Sequence, residues 1–400
     1  MGKRLSLEDS SDLLTAVVVA CSLLGDSFLY VGLPLTYKTL GLNLVSVGML
    51  LSVNRFIRFF SNTWASYIYD KHGIKWPFFI AICVGTLTTL SYSLLTGFIP
   101  FLLARVVWGV SWSFLRIPGY LYASNVPPAQ RGKRMGLYQS ISVIGSLFGT
   151  LIGGLLLDLW DFRSVILFLT CASAIGIPIA FSLNDVPQLD DAPRAQISMN
   201  LKLIFGDFKM FGIGLVTAMN GLLIGSILSS TLSLYLLELV GEGGISIFEI
   251  TFGIATLSSF LLAMRRISRL ALGPFVGSMS DFLGRQKTLI ILFSGGIISM
   301  ALLGLSPSIT VVVLAVLLAF VSSNALGIVL ATEASDLAAT HVEGRLYIIS
   351  SYVNWIDLGT AMGPLIAYIL RLGLPFRTMY LGASVILLAV AIFHLYAMQR

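Results

Sequence analysis

Charged side chains interrupt several long apolar runs of this 400-residue sequence, and they are the residues best suited to chemistry. Seven of them are arginines: Arg55, Arg58, Arg105, Arg116, Arg265, Arg266 and Arg269. The acids at comparable depth are Asp26, Glu333 and Asp357. Guanidinium groups bind carboxylate or phosphate through two hydrogen bonds, and a poorly solvated carboxylate can take up and release a proton. The excess of arginine over acid therefore favours a site for an anionic or zwitterionic ligand.

Helical spacing gathers these residues onto shared faces. One face holds Arg55, Arg58, Asn62 and Ser66, a second holds Arg266, Arg269 and Gly273, and a third holds Arg105, Gly109, Trp112 and Arg116. From this pattern we predict a substrate site formed by Arg58, Asn62, Trp112, Arg116, Asn220, Arg269 and Asn324. The acids Asp26, Glu333 and Asp357 are the predicted proton-coupling residues.

Two interpretations of the buried arginines stay open. In the first, an arginine forms an ion pair that holds helices together, as Arg55 or Arg58 would with Asp26 or Asp357. We favour this interpretation for Arg55 and Arg266. In the second, the guanidinium recognises an anion, which we favour for the arginines of the predicted substrate site.

Composition places all of these residues in a membrane protein. Apolar residues make up 56% of the chain and charged residues 11%, and the mean hydropathy is +0.91. Soluble domains carry about 25% charged residues, and disordered chains carry few apolar ones. The basic residues form no run typical of nucleic-acid binding, and the cysteines and histidines show no metal-ligand spacing. The chain is predicted to be a polytopic membrane protein without a metal site.

The apolar runs predict twelve membrane spans, since one span needs roughly 20 apolar residues. They lie near 13–36, 43–66, 76–96, 99–124, 135–157, 164–183, 211–236, 249–279, 287–305, 309–333, 346–370 and 378–397. The polar stretch 184–202 divides them into two sets of six. We therefore predict an N-terminal six-helix bundle (1–183), a cytoplasmic linker (184–210) and a C-terminal six-helix bundle (211–400).

Lysine and arginine in the loops predict the orientation, because cytoplasmic loops carry more of both. With the N-terminus inside, the inner loops and tails hold 14 of these residues and the outer loops hold 4. Both termini are therefore predicted to be cytoplasmic, in an inner or plasma membrane.

The two halves repeat one pattern. A shift of 211 residues superposes Arg55 on Arg266, Arg58 on Arg269, Asp70 on Asp281 and Gly73 on Gly284. The segment Gly277-x-x-x-Asp281-x-x-Gly284-Arg285-x-Lys287 resembles the loop signature of the major facilitator superfamily, and its N-terminal twin departs from it at Ser66 and Ile74. The fourth span carries Arg105-x-x-x-Gly109, followed by Arg131-Gly132-Lys133-Arg134-Met135-Gly136, which is also similar to that family.

The resemblance covers essentially the whole chain and implies an all-α membrane protein of two pseudo-symmetric six-helix bundles that works by alternating access. It implies that Arg105 takes part in coupling. It also implies a cytoplasmic gate, for which we predict Asp70, Gly73, Arg131, Gly277, Asp281, Gly284 and Arg285.

The fifth span is rich in glycine, as Gly145-x-x-x-Gly149-Thr150-x-x-Gly153-Gly154. It resembles the glycine motif of the proton-coupled antiporter branches of the superfamily, with Thr150 where proline is expected. The eleventh span echoes it as Gly359-x-x-x-Gly363-Pro364. Close packing through small residues explains such glycines with or without antiport.

Together these features predict a monomeric secondary transporter that exports a small anionic or zwitterionic organic molecule, such as an organic acid, a metabolite or a metal chelator, in exchange for protons. Three alternatives remain: a multidrug/proton antiporter, uptake by symport or facilitated diffusion, and a sensor that does not transport. The sequence contains no catalytic grouping of residues, so we do not predict an enzyme. The sequence has no P-loop, so ATP is not the expected direct energy source. We expect a proton gradient to supply the energy, and we predict no cofactor.

Overall fold

The computed structural model describes residues 11–124, 128–183, 208–247, 250–306, 308–340 and 345–399. Over these ranges the chain forms the twelve predicted spans, which we label α1 to α12. They are α1 (Ser11–Thr36), α2 (Leu44–His72), α3 (Lys75–Leu94), α4 (Phe98–Ser124), α5 (Pro128–Leu157), α6a (Phe162–Ala174) with α6b (Gly176–Phe181), α7a (Phe208–Leu222) with α7b (Ser229–Val240), α8 (Ile254–Leu283), α9 (Arg285–Leu305), α10 (Ile309–Thr340), α11 (Arg345–Leu370) and α12 (Phe376–Gln399).

Length and composition alone identify most of these helices as membrane spans. Ten described spans are long and apolar enough to cross a bilayer, and α2 becomes an eleventh if its two bent halves count as one. The remaining helix, α8, carries Arg265, Arg266 and Arg269, which interrupt its apolar run. The all-α membrane fold is confirmed.

Two features depart from uninterrupted helices. A single π-helical turn, Leu223–Leu228, joins α7a to α7b. Between α7 and α8, the strands β1 (Ile245–Ile247) and β2 (Ile250–Phe252) pair antiparallel, with Ile245 opposite Phe252. We did not predict these strands, which are only three residues long, because so short an apolar segment shows no clear period.

The contacts divide the chain into two units. The first unit holds α1 to α6 together with Ala255–Ser259, and the second holds α7 and the remaining part of α8 through α12. The predicted linker 184–210 lies outside the described residues up to position 207, so its extent stays a prediction.

In the first unit, the most extensive packing is that of α1 on α5, and α2 and α3 both pack on α4. Gly145 and Gly149 make the first of these contacts possible. A side chain at either position would overlap the main chain of α1, at Ala20 and Leu24 respectively. The glycines of the fifth span therefore bring two backbones together, as small residues do in other membrane helices.

In the second unit, α11 packs on α7 by the same device. A side chain at Gly359 would overlap the main chain of Ala218, and one at Gly363 would overlap Ser226. The glycine pairs of the fifth and eleventh spans thus play matching packing roles in the two units. The core of this unit lies among α7 to α12 and includes Phe293, Leu326 and Leu330.

Candidate functional site

A buried ion pair lies at the centre of the first unit. Arg105 Nη1 on α4 is 2.5 Å from Asp26 Oδ1 on α1, and the two side chains are 0% and 11% exposed. Arg105 Nε also donates to the carbonyl of Leu50 at 2.8 Å, and Asn54 Nδ2 donates to Asp26 Oδ1 at 3.3 Å. This cluster joins α1, α2 and α4 through groups that would be costly to leave unpaired.

More positive charge surrounds this pair. Arg58 and Arg55, on α2, both act electrostatically on Asp26, and Arg116 acts on Arg58. The Arg58 Cζ atom lies 5.4 Å from the ring centroid of Trp112, within cation–π range. Asp26 therefore forms an ion pair with Arg105, and the ion-pair interpretation of Arg55 and Arg58 stays a prediction.

Arg55 places its Cζ atom 5.7 Å from the ring centroid of Tyr30. Trp112 also packs against Trp108, with their ring centroids 5.4 Å apart. Arginines and aromatic rings therefore alternate on the helices that hold the ion pair. Asn62 lies one turn further along α2 and is half-buried.

Several buried polar atoms of this cluster have no partner among the described residues. Four are hydrogen-bond donors: Arg58 Nε, Arg105 Nη2, Trp108 Nε1 and Trp112 Nε1. In the described part of the chain, two unpartnered atoms of the same cluster can accept: Asn54 Oδ1, and the hydroxyl of Tyr92, which acts electrostatically on Arg105 and can also donate. Buried polar groups without partners are rare in folded proteins, so the donor excess needs an explanation.

The second unit holds a different arrangement, centred on Arg265 of α8. Arg265 Nη1 donates to Ser229 Oγ at 2.7 Å, and its Cζ atom lies 5.6 Å from the ring centroid of Phe320. A Cβ at Gly225, within the π-helical turn, would lie 3.3 Å from Arg265 Nη2. Gly225 therefore leaves room for this guanidinium, and π-helical turns frequently occur at functional sites.

The predicted asparagines of this unit bind main-chain groups. Asn324 Nδ2 donates to the carbonyl of Arg265 and to Ser268 Oγ, both at 2.7 Å. Asn220 Nδ2 donates to the carbonyl of Ser323 at 3.1 Å. These amides tie α10 to α8 and α7 to α10. Arg269 is exposed and lies close enough to Tyr352 to affect it electrostatically.

The two acids predicted in this unit have unlike surroundings. Glu333 Oε2 on α10 lies 3.2 Å from Nε2 of His394 on α12, and His394 is fully buried. Asp357 on α11 is half-buried, and among the described residues no ion pair reaches its carboxylate. Glu333 therefore contributes to a packed contact between helices, whereas Asp357 keeps an accessible carboxylate.

The predicted gate residues lie at the ends of α2 and α8 and at the beginnings of α5 and α9, apart from Gly277. Gly73 and Gly284 end α2 and α8 with φ of 75° and 84°, a conformation that glycine adopts without strain. Arg285 forms an ion pair with Asp336 of α10, whereas Asp281 is exposed. Gly277 lies within α8, in space that would accept a side chain. The side chains of Asp70 and Arg131 lie outside the described residues.

The arrangement is therefore two helical units with arginines inside their spans: Arg105 of the first is buried beside the acid Asp26, and Arg265 of the second is half-buried. The family model described as Major Facilitator Superfamily matches residues 15–270. The chain belongs to the Major Facilitator Superfamily. Members of this superfamily are membrane-embedded transporters that bind small molecules, and they are not enzymes, so those predictions are confirmed.

Relatives match over nearly the full chain. It is 25% identical over 403 residues to "Multidrug resistance protein MdtG" of Klebsiella pneumoniae (strain 342), covering 97% of this chain and 93% of that protein. It is 23% identical to the protein of the same name from Rahnella sp. (strain Y9602), covering 96% and 92%.

Solved structures share the fold. The nucleoside transporter NupG matches with a TM-score of 0.77 and 13% identity, covering 98% of this chain and 99% of that one. A bacterial homologue of the human lysosomal transporter Spinster, in an inward-facing and occupied conformation, matches with a TM-score of 0.75 and 16% identity, covering 98% and 97%. At these identities the likeness establishes the fold alone.

Sequence reasoning missed several residues of these clusters. Arg265 was counted among the buried arginines but not assigned to the site, although it directly precedes the repeated Arg266. Ser229, Asp336, Trp108 and His394 were not assigned to a site, because residue type and spacing do not tell which neighbour on another helix a side chain meets.

Proposed function

We propose that this protein exports small organic molecules from the cytoplasm in exchange for protons, and that Asp26 carries the exchanged proton. The observation that supports this is the buried contact between Asp26 and Arg105, supplemented by the amide of Asn54. A buried carboxylate keeps its charge only while positive groups compensate it. Any event that moves those groups changes the affinity of Asp26 for a proton.

In this mechanism the charged Asp26 holds Arg105 and so ties α1 to α4. Proton uptake removes the charge of the carboxylate and weakens this tie. An anionic substrate competes for the same positive side chains, among them Arg58. Proton uptake and substrate binding therefore each loosen the tie between α1 and α4, and exchange results when the protein changes conformation with one of the two bound at a time.

We further propose that the substrate is anionic or zwitterionic, such as an organic acid, a metabolite or a metal chelator. Arg55, Arg58 and Arg105 all act on the single carboxylate of Asp26. The surplus positive charge favours a ligand that brings negative charge with it.

A multidrug/proton antiporter is the second candidate. The relatives' printed name, "Multidrug resistance protein", favours it, as does the accessible carboxylate of Asp357, which suits a cationic drug. Under both candidates the protein works as a monomer, with its N- and C-termini in the cytoplasm and the proton gradient as its energy source.

Reconstitution into liposomes tests the exchange. Purified protein is placed in vesicles that contain a pH-sensitive dye, and gradients of citrate, benzoate or tetraphenylphosphonium are imposed. Antiport predicts that protons move opposite to the added compound. Movement of protons with the compound contradicts export and supports symport, and transport without proton movement supports facilitated diffusion.

The proton site is tested with Asp26→Asn, which keeps the size of the side chain and cannot exchange a proton. We expect proton flux to fall at least 100-fold, while binding of the compound measured by thermal stability persists. The matched control is Asp161→Asn, in an exposed helix cap, which leaves flux unchanged. Wild-type flux in Asp26→Asn contradicts the assignment.

Arg58→Ala and Arg116→Ala test the charge of the substrate. Stabilisation by anions that disappears in these variants supports an anion exporter. Stabilisation by tetraphenylphosphonium alone, unchanged in both variants, supports the multidrug antiporter.

A further inference from the structure

We propose that Arg58 and Trp112 of the first unit form a carboxylate-binding pair, in which Arg58 binds the carboxylate side-on through Nε and one Nη while the indole N–H of Trp112 donates a third hydrogen bond. The proposal rests on the proposed function, because it specifies the ligand chemistry of the same site. It assigns Trp112 as a hydrogen-bond donor, a role distinct from that of an aromatic wall.

The first support is that both side chains carry a buried hydrogen-bond donor without an acceptor. Arg58 Nε and Trp112 Nε1 are both buried and have no acceptor in the described part of the chain. Nε together with the Nη on the same side is one of the two edges of a guanidinium that match both oxygens of a carboxylate. The edge of Arg58 that suits a carboxylate therefore carries a donor that the described protein groups leave unsatisfied.

The second support is proximity. The Arg58 guanidinium lies against Trp112, 5.4 Å from its ring centroid, so the two residues present their donors from neighbouring positions. Both residues belong to the cluster around Asp26, through the electrostatic contact of Arg58 with that carboxylate. A ligand at this position would lie beside the proposed proton site.

The third support is the balance of unpartnered atoms. Trp108 Nε1 and Arg105 Nη2 add two further buried donors to the cluster, and among the described residues two of its unpartnered atoms can accept, Asn54 Oδ1 and the hydroxyl of Tyr92. A ligand that satisfies this cluster must bring acceptors and few donors. An ionised carboxylate brings acceptors only, whereas a carboxamide of the same size also brings two donors.

Pairs of ligands with the same shape test the chemistry. The full-length protein in detergent is titrated with benzoate and benzamide, and with succinate and succinamide, and binding is followed by isothermal titration calorimetry. The proposal predicts that at least one carboxylate binds at least tenfold more tightly than its amide. Equal affinities, or no binding by either carboxylate, overturn it.

Conservative variants then test the two residues. Arg58→Lys keeps the positive charge and loses the planar edge, and Trp112→Phe keeps a ring and loses the N–H. Each is expected to weaken carboxylate binding on the order of tenfold, since one charge-assisted hydrogen bond is lost or misplaced. Unchanged affinity in both variants contradicts the proposal.

Matched controls lie elsewhere in the chain. Trp160→Phe alters a half-exposed tryptophan, and Arg371→Lys alters an arginine paired with Glu238, so neither should change carboxylate affinity. Should Arg58→Lys fail to fold, the carboxylate and amide titrations of the wild-type protein still decide the question.

The outcome separates this proposal from the proposed exchange. Tight carboxylate binding that depends on Arg58, together with proton flux that is unaffected by Asp26→Asn, upholds the carboxylate site and rejects the proton site. Proton-coupled transport of tetraphenylphosphonium without carboxylate binding upholds the proposed exchange and rejects the carboxylate site.

Discussion

Equivalent positions in the two units carry side chains of different charge, and these side chains bind different partners. The shift of 211 residues that relates the halves superposes Asn54 on Arg265 and Arg105 on Val316. In the first unit, a neutral amide on α2 donates to an acid on α1. In the second, an arginine on α8 donates to the hydroxyl of Ser229 on α7. The link between these helices is retained, while the acid that takes part in it, Asp26, belongs to the first unit.

The difference indicates a division of labour. The first unit places its arginine next to a group whose charge depends on protonation, so its electrostatics can change within a cycle. The second unit fixes Arg265 with a hydroxyl and an aromatic ring, neither of which changes charge near neutral pH. Coupling is therefore expected to depend on the first unit, and the second to supply a constant positive charge.

Removing the two arginines should affect stability unequally. Arg105→Met leaves Asp26 buried without its counter-charge, which costs about 3–5 kcal/mol of unfolding free energy. Arg265→Met removes a hydroxyl contact and a cation–π contact, and the expected cost is about 1–3 kcal/mol. Denaturant unfolding of both variants in detergent measures the difference. Equal losses would mean that the acid does not distinguish the units.

The glycine pairs test whether the units share one packing device. Gly145→Ala and Gly359→Ala should each lower stability by about 1–3 kcal/mol, because the added methyl group overlaps the main chain of the facing helix. The matched control is Gly277→Ala, which has open space and gains helix propensity of up to about 1 kcal/mol. Thermal unfolding compares the three variants, and destabilisation of one unit alone would contradict the shared device.

Glu333 sharpens the contrast between the acids. Its contact with the buried His394 predicts that Glu333→Gln lowers stability by about 1 kcal/mol, because the neutral amide gives up the charge of a carboxylate that lies 3.2 Å from the imidazole. Proton flux in liposomes should stay within about twofold of the wild type, in contrast to Asp26→Asn. A loss of flux comparable with that of Asp26→Asn would assign proton coupling to both units.

The smallest effect is expected at the cap of α6a. Two hydrogen bonds from Ser164 lower the pKa of Asp161 below its ordinary value. The bond from the Ser164 hydroxyl has the larger effect, and the bond from the Ser164 backbone N–H has the smaller one. This cap therefore stabilises the helix above the ordinary carboxyl pKa, and the contribution is lost as pH falls through the lowered value. Ser164→Ala should move that loss to higher pH, which thermal unfolding between acidic and neutral pH measures. An unchanged pH profile would exclude the cap as a source of stability.

The sequence was sufficient for the fold and for the presence of buried charge. Apolar runs and helical spacing placed Arg55, Arg58 and Arg105 inside spans, because each signal is local to one helix. The partner of Asp26 was not predictable in this way. Spacing gives the face of a helix, whereas the choice among three nearby arginines depends on how α1, α2 and α4 pack. The same limit explains why the contact of Glu333 with His394 was missed.

The π-helical turn has a consequence for sequence insertion and deletion. Leu223–Leu228 accommodates a wider turn than an α-helix, as if one residue had been inserted into α7. The wider turn absorbs that residue, so the outer half of α7 keeps the rotation about its axis at which Ser229 meets Arg265 and Tyr235 meets the carbonyl of Leu303. If the turn closed to α-helical geometry with its sequence unchanged, everything beyond it would rotate by about 100° and both contacts would be lost. Deleting one residue from Leu223–Leu228 is therefore expected to be better tolerated than deleting one early in α7b.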